Sequence, residues 1–275
     1  MLVAGLALLV TGAYVASVVI VGEAGFPLDD SWIHQTYARN LAHSGRWEFV
    51  AGQASAGSTA PLWTLLLSLG YLLRLPHLLW AYALGWLSLS WTAWSSYQLS
   101  QTLWPERDGH WWAALAVVSS WPLIWAAGSG METLLFTALA LQILTCHLRG
   151  QAGDSWPAIR LGLLCGLLVL TRPEGLLLLG IVGLSTMLSA SGIRVLVGRV
   201  IPFVTAFLLP LAAYVALNWI SSGNPLPNTF YAKQAEYARL WQQPLHERFG
   251  QLLLFSVGGP PSGLQGISGA RLVLL

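Results

Sequence analysis

Charged side chains are scarce in this 275-residue chain. Lys, Arg, Asp and Glu together make up only 9% of the residues, whereas hydrophobic residues make up 55%. A soluble domain carries about 25% charged residues, so the shortage excludes an ordinary soluble domain. Together with a mean hydropathy of +0.62, it predicts an all-α integral membrane protein that crosses the cell membrane several times.

Other features are missing as well. The sequence has no run of Lys or Arg and a net charge of only +2, so we expect no nucleic-acid partner. Cys146 and Cys165 both lie in apolar runs and provide no disulfide framework. The His and Cys residues do not have the spacing of a zinc site. We therefore interpret His34 and His43 as surface polar groups rather than metal ligands.

Long apolar runs without Lys, Arg, Asp or Glu define the predicted helices. They cover residues 2–22, 75–105, 111–131, 133–148, 161–171, 175–193 and 200–232. The first run has no basic flank and no Ala-x-Ala cleavage site, so we expect a retained span rather than a signal peptide. The sequence thus predicts one module over residues 1–275, a bundle of about seven transmembrane helices.

The topology depends on Pro61–Leu75, which contains Arg74 and is short for a span. Such a segment suits an interfacial or re-entrant helix. Residues 23–75 then form a long extracytoplasmic first loop with interfacial helices. The short connections 104–110, 149–160 and 194–199 carry Arg on the cytoplasmic side, as the positive-inside rule prefers. A full span at 61–75 would instead separate the first loop from the other polar motifs.

Asp29 and Asp30 follow the first span closely. One carboxylate is a candidate general base for an acceptor hydroxyl, because partial burial would raise its pKa toward the useful range. The other would orient the acceptor or bind a metal. Alternatively, both cap the following helix, where the helix dipole favours anions. That helix is predicted to lie along the outer membrane surface, with an apolar stripe of Ile33, Tyr37 and Leu41.

The small residues of Ala51–Pro61 indicate a flexible segment that closes over a substrate, or a plain connection. Arg172 is a candidate phosphate ligand, or it pairs with Glu174 or with a carboxylate on a neighbouring helix. Pro173 interrupts helical hydrogen bonding beside it. Glu132 either contacts substrate hydroxyls or occupies a first helical turn that favours an anion.

A Pro-containing segment, Asn224–Lys233, follows the last predicted span. Lys233 either meets a phosphate as a point charge or anchors the chain at the membrane interface. Tyr231 either packs on a lipid chain or sugar ring or belongs to an aromatic belt.

Five segments taken in order carry a family resemblance. They are LDDSWIHQTYARNLAHSG, STAPLWTLLLSLG, SGMETLLF, TRPEGLLL and GNPLPNTFYAK, scattered over residues 28–233. In these motifs the chain resembles the GT-C superfamily of polytopic glycosyltransferases. Within it, the chain is similar to the bacterial group that includes mycobacterial terminal arabinofuranosyltransferases. The resemblance implies a GT-C-like bundle, a polyprenyl-phosphate sugar donor and an active site facing the extracytoplasmic side of the cell envelope.

By this resemblance, Asp29 or Asp30 is the base, and Arg172 and Lys233 lie near the donor phosphate. We assign substrate contacts to Glu132, Glu174, His34, Asn228 and Tyr231. The acceptor would be a glycan, a lipid or a protein, with membrane lipids as further partners. No cofactor is assigned, although two carboxylates leave Mg²⁺ or Mn²⁺ open.

The chain departs from the family in its length. Family members are usually longer, and Arg271–Leu275 reads like the start of a further helix. The extracytoplasmic segment 221–275 is therefore open to the interpretation that it is cut off before further helices. The chain would then be a fragment or a truncated, inactive homologue. A transporter or flippase of lipid-linked sugars is the alternative function, since intramembrane charges also mark transport pathways. The missing internal repeat and the clustering of polar motifs favour the enzyme.

Overall fold

The computed structural model describes residues 2–22, 24–150, 155–189, 192–236, 238 and 242–256. This part of the chain is almost entirely helical, which confirms the all-α prediction. The chain divides into two compact units, residues 1–228 and 229–275. The expected single module over residues 1–275 stays a prediction.

The helices of the first unit are α1 (Leu2–Val21), α2 (Asp29–Ser44), α3 (Pro61–Leu72), α4 (His77–Leu103), α5 (Trp111–Val118), α6 (Trp121–Gly128), α7 (Thr133–Arg149), α8 (Ser155–Thr171), α9 (Gly175–Leu188) and α10 (Ile193–Ser222). Strands β1 (Glu48–Val50) and β2 (Gln53–Ala54) form an antiparallel hairpin. Helix α11 (Asn228–Glu236) begins at the last residue of the first unit, and α12 (Leu245–Ser256) belongs to the second.

Two helices of the described residues, α1 and α10, are long and apolar enough to cross a membrane. Helices α5 and α6 are bent by 60° and make a third span if they count as one. These helices indicate membrane association. Their number is below the seven spans that the apolar runs predict, so the seven-span bundle stays a prediction.

Helix length and composition explain the difference. Helices α7, α8 and α9 have 17, 17 and 14 residues, fewer than the roughly 20 that a span needs. Helix α4 has 27 residues but carries Ser, Thr and Gln side chains along its length. Composition and length thus separate these four helices from α1 and α10.

Other predicted segments also differ from the structure in detail or lie outside it. Run 111–131 contains two helices rather than one, because the chain breaks at Ser119 and Ser120 before α6 begins. Helix α10 begins at Ile193, so the connection predicted at 194–199 is helical. Two further predicted segments lie outside the described residues. They are residues 151–154 of the connection 149–160, and Arg271–Leu275.

The ambiguous stretch at 61–75 forms α3, which ends at Leu72 after 12 residues. Twelve helical residues extend about 18 Å, less than the bilayer core of about 30 Å. Helix α3 is therefore shorter than the bilayer core. Its location at the membrane interface stays a prediction.

The helices of the first unit place two groups of polar residues at opposite ends. Helices α4 and α7 run in the same direction, since Thr92 Oγ1 donates to the Leu134 carbonyl and Arg149 Nε donates to Thr102 Oγ1. The start of α7 and its end are therefore about 25 Å apart. We call the end that carries residues 24–60, 129–132 and 172–174 the first-loop end. The opposite end, which carries Arg149 and Arg160, is the arginine end.

Close helix packing depends on glycine in α8. Gly162 and Gly166 are four residues apart and both face α10. A Cβ at Gly162 would collide with the Phe203 carbonyl, and one at Gly166 would press on Pro210. Small residues at this spacing let two helix backbones approach each other within a membrane.

We expect Gly162→Ala to lower the thermal midpoint of the purified chain in detergent, measured by circular dichroism. The added methyl group forces α8 away from α10, and overpacking of this kind costs about 1–3 kcal/mol. Gly180→Ala is the matched control, because a Cβ at Gly180 in α9 meets no atom within 4 Å. A Gly162→Ala midpoint at or above that of the control would contradict the close contact.

Candidate functional site

Asp29 and Asp30 form the first turn of α2, and both are exposed. Asp29 Oδ1 accepts a hydrogen bond from the Asp30 backbone N–H at 3.0 Å. The partial burial expected for a general base is therefore not found. The position at the helix start is the one in which the dipole favours anions, and it leaves the carboxylates accessible to solvent.

The buried face of α2 differs from the predicted apolar stripe. Of Ile33, Tyr37 and Leu41, only Tyr37 is buried. The residues of α2 that are buried are Ser31, His34, Gln35, Tyr37 and Ala38. Each polar side chain of this face has a contact on another segment, which compensates most of the burial, while Gln35 Nε2 has no partner among the described residues.

Among the hydrogen bonds that hold α2 against the rest of the first unit, one reaches the α6–α7 connection and one reaches α3. Ser31 Oγ donates to the Ser129 carbonyl at 2.7 Å. Tyr71, one residue before the end of α3, donates through its OH to Gln35 Oε1 at 2.8 Å. The first turn of α2 is thereby fixed beside the loop that connects α6 to α7.

His34 is 3% exposed, so its assignment as a surface group is wrong. Its Nε2 lies 3.5 Å from Glu132 Oε2, and its Nδ1 lies 3.5 Å from Ser58 Oγ. Ser58 Oγ in turn shares a 2.9 Å hydrogen bond with Thr64 Oγ1. The ring therefore connects the first loop to the start of α7.

Glu132 is the residue on which these contacts converge. It precedes α7 and is 3% exposed. Arg172 Nε donates to Glu132 Oε1 at 2.6 Å. The sequence left two kinds of partner open for Arg172: Glu174 or a carboxylate on a neighbouring helix. The structure shows the second kind, Glu132 at the start of α7, while Glu174 is exposed at the start of α9.

Burial by itself would raise the pKa of Glu132. The hydrogen bond and charge of His34, then the backbone amide of Glu132 and the Arg172 hydrogen bond, act in the opposite direction and outweigh it. The pKa of Glu132 therefore lies below its ordinary value of 4.5. The cluster holds a carboxylate at neutral pH.

The guanidinium of Arg172 is only partly used by this pair. Its side chain is 37% exposed, and its terminal nitrogens make no hydrogen bond to any other residue that the structure describes. Helix α8 ends at Thr171, one residue earlier, so Arg172 lies at the break before Pro173. A fixed, half-open guanidinium suits an anionic ligand such as phosphate.

The second half of Ala51–Pro61 packs against its neighbours, and closure of this segment over a substrate stays a prediction. Ala56 and Ser58 are buried. The Ser58 carbonyl accepts from Tyr214 OH at 3.2 Å, and the Ala56 carbonyl accepts from the Asn228 backbone N–H at 2.7 Å. The side chain of Asn228 is exposed, so its substrate contact stays a prediction.

Lys233 and Tyr231 lie in α11 and belong to the second unit. Lys233 is exposed, and the Tyr231 ring packs edge-on against Phe230 with centroids 5.5 Å apart. Their assigned contacts with donor and substrate stay predictions.

Sequence reasoning missed the contribution of Ser58, Thr64 and Trp63 to this site. Trp63 Nε1 donates to the Gly130 carbonyl at 2.9 Å across 67 residues of sequence. Ser58 and His34 are 24 residues apart. Contacts over such separations leave no periodic signal in the chain.

No three His, Cys, Asp or Glu side chains come together as a metal-binding group within the described residues. Comparison of the chain with protein-family models, curated proteins and solved structures gives no match.

We expect acid to remove the stabilisation that the Glu132 carboxylate provides. Because its folded-state pKa is depressed, this contribution is complete above pH 4.5 and is lost as the pH falls below that value. Thermal midpoints measured between neutral pH and about pH 3.5 should fall more steeply for the wild type than for Glu132→Gln. At neutral pH, Glu132→Gln should cost about 1–3 kcal/mol, since Arg172 loses its charged partner.

Glu174→Gln is the matched control, because it removes an exposed carboxylate two residues after Arg172. Its midpoints should follow those of the wild type. Parallel curves for the wild type and Glu132→Gln would show that Glu132 is not the titrating group.

Proposed function

We propose that this chain is a membrane glycosyltransferase of the GT-C type. It would move a sugar from a polyprenyl-phosphate donor to a hydroxyl acceptor at the extracytoplasmic face. One observation carries the proposal: a half-open arginine, fixed by the buried carboxylate of Glu132, shares the first-loop end with an exposed acidic pair.

Arg172 supports the assignment of a phosphate-linked donor. Sugar transfer leaves negative charge on the departing lipid phosphate, and a preorganised cation stabilises that charge in the transition state. The Nε bond to Glu132 orients the guanidinium, and its terminal nitrogens stay available. An arginine held in this way needs little reorganisation when charge develops.

The surface that follows Arg172 suits a lipid tail. Helix α9 begins three residues later and carries exposed apolar side chains along one side. They include Leu177, Ile181, Leu184 and Leu188. Their spacing of four, three and four residues forms a continuous stripe, which gives a polyprenyl chain an apolar path beside the proposed phosphate ligand.

The acidic pair supports the acceptor side. A general base must be within reach of a polar hydroxyl, and Asp29 and Asp30 are both exposed. Ser31, the residue after the acidic pair, donates a hydrogen bond to the carbonyl of Ser129. Ser129 lies three positions before Glu132. The base and the phosphate ligand would then be attached to the same short loop, 129–132.

Charge at the other end supports the orientation. Arg149 and Arg160 lie at the arginine end; Arg149 is 17 residues after Glu132 along α7, and Arg160 is 12 residues before Arg172 along α8. Under the positive-inside rule, that end is cytoplasmic, and the first-loop end faces outward.

We expect Asp30→Asn to abolish sugar transfer while the protein stays folded in membranes. Loss of a general base costs about 10²–10⁴-fold in rate. Arg172→Gln should reduce transfer through loss of phosphate stabilisation. Transfer is measured from a set of radiolabelled polyprenyl-phosphate sugars, with Asp108→Asn, an exposed carboxylate in the 104–110 connection, as the control.

Full sugar transfer by both Asp29→Asn and Asp30→Asn would contradict the assignment of the general base to this acidic pair. If the wild type transfers sugar from none of the donors, the transporter and non-catalytic interpretations take precedence.

A further inference from the structure

A cavity of about 280 Å³ lies at the arginine end. It opens between the last turns of α4 and α7 and the start of α8, far from the Glu132 cluster. The residues on which its chemistry depends are Gln98, Gln142, Cys146, Arg149 and Arg160. Its volume is close to the lower limit for small-molecule sites, about 300 Å³.

The cavity is positively charged. Arg149 and Arg160 both line it, and no acidic side chain is present among the described lining residues. Arg149 is held in place, since its Nε donates to Thr102 Oγ1 at 2.9 Å and one terminal nitrogen donates to the Gln98 carbonyl at 3.1 Å. Arg160 is exposed at the rim. Two guanidinium groups around one cavity favour a phosphate group.

Gln98 adds a requirement for a hydrogen-bond donor. Its side-chain Oε1 is buried and accepts no hydrogen bond from the residues that the structure describes. A buried acceptor without a partner is costly. Because this oxygen is closed off from solvent, the Gln98 side chain must turn toward the cavity that it lines before a ligand hydroxyl beside the arginines can donate to it.

We propose that this cavity binds the headgroup of an anionic phospholipid that carries hydroxyl groups, such as phosphatidylglycerol. Its phosphodiester lies against Arg149 and Arg160, and a glycerol hydroxyl donates to Gln98 Oε1. Basic pockets between membrane helices are general sites for such headgroups. The cavity lies at the ends of α4, α7 and α8, which the positive-inside rule would place at the cytoplasmic headgroup layer. This site does not depend on the proposed sugar transfer.

Cys146 provides a reporter. It lines the cavity and is half-buried, whereas the other cysteine, Cys165, is fully buried. In nanodiscs that hold the full chain, phosphatidylglycerol added to phosphatidylcholine should slow maleimide labelling of Cys146 several-fold. Arg149→Gln/Arg160→Gln should lose this protection. Arg160→Gln alone should weaken it without disturbing the contacts of Arg149.

The matched control is Arg107→Gln/Arg194→Gln, which removes the same charge from two exposed positions outside the cavity lining. It should keep the protection. Equal loss of Cys146 protection in the two double variants would show that diffuse surface charge, and not this cavity, attracts the lipid. Labelling that is unchanged by phosphatidylglycerol would overturn the proposal. So would equal protection by inorganic phosphate in phosphatidylcholine discs, since the site would then bind a soluble anion.

Discussion

The buried carboxylate of Glu132 is the constraint on which the first-loop end depends. A charge that is almost fully removed from water is costly unless other groups compensate for it. His34 from the first loop and Arg172 from the break after α8 supply that compensation. Three segments that are far apart in sequence therefore meet at one side chain. The same pairing turns Arg172 into a fixed group with unused donors, which is why a structural interaction and a proposed ligand site coincide.

The positions of the helices were readable from the sequence because apolar side chains accumulate wherever a helix is surrounded by lipid or by other helices. The same accumulation does not show which helices cross the membrane, since α7, α8 and α9 are apolar yet shorter than α1 and α10. The candidate site at the first-loop end was likewise predicted only in part. Arg172 was a candidate because Pro173 follows it, but its partner at position 132 lies 40 residues earlier. His34 was placed on the surface because a local helical pattern cannot show that a polar face meets compensating groups.

The two ends of the first unit differ in how they hold charge. At the first-loop end, the buried carboxylate of Glu132 is paired with Arg172, and that of Glu48 accepts from the Gly52 backbone N–H. The carboxylates of Asp29, Asp30 and Glu174 stay in solvent. At the arginine end, Arg149 is fixed by neutral oxygen atoms and keeps its full positive charge. Neutralised charge suits a site that must bind and release ligands during a reaction. Uncompensated charge suits lasting attraction to an anionic surface.

The Glu132–Arg172 pair also restricts how this protein can change over evolutionary time. Loss of the carboxylate alone leaves a guanidinium without its anchor, and loss of the arginine alone leaves a buried anion with His34 as its remaining partner. Either single replacement is penalised, whereas replacement of both by apolar residues removes the penalty together with the ligand site. Positions 132 and 172 should therefore co-vary among homologous chains, and a homologue that has lost both should also have lost whatever anion Arg172 receives.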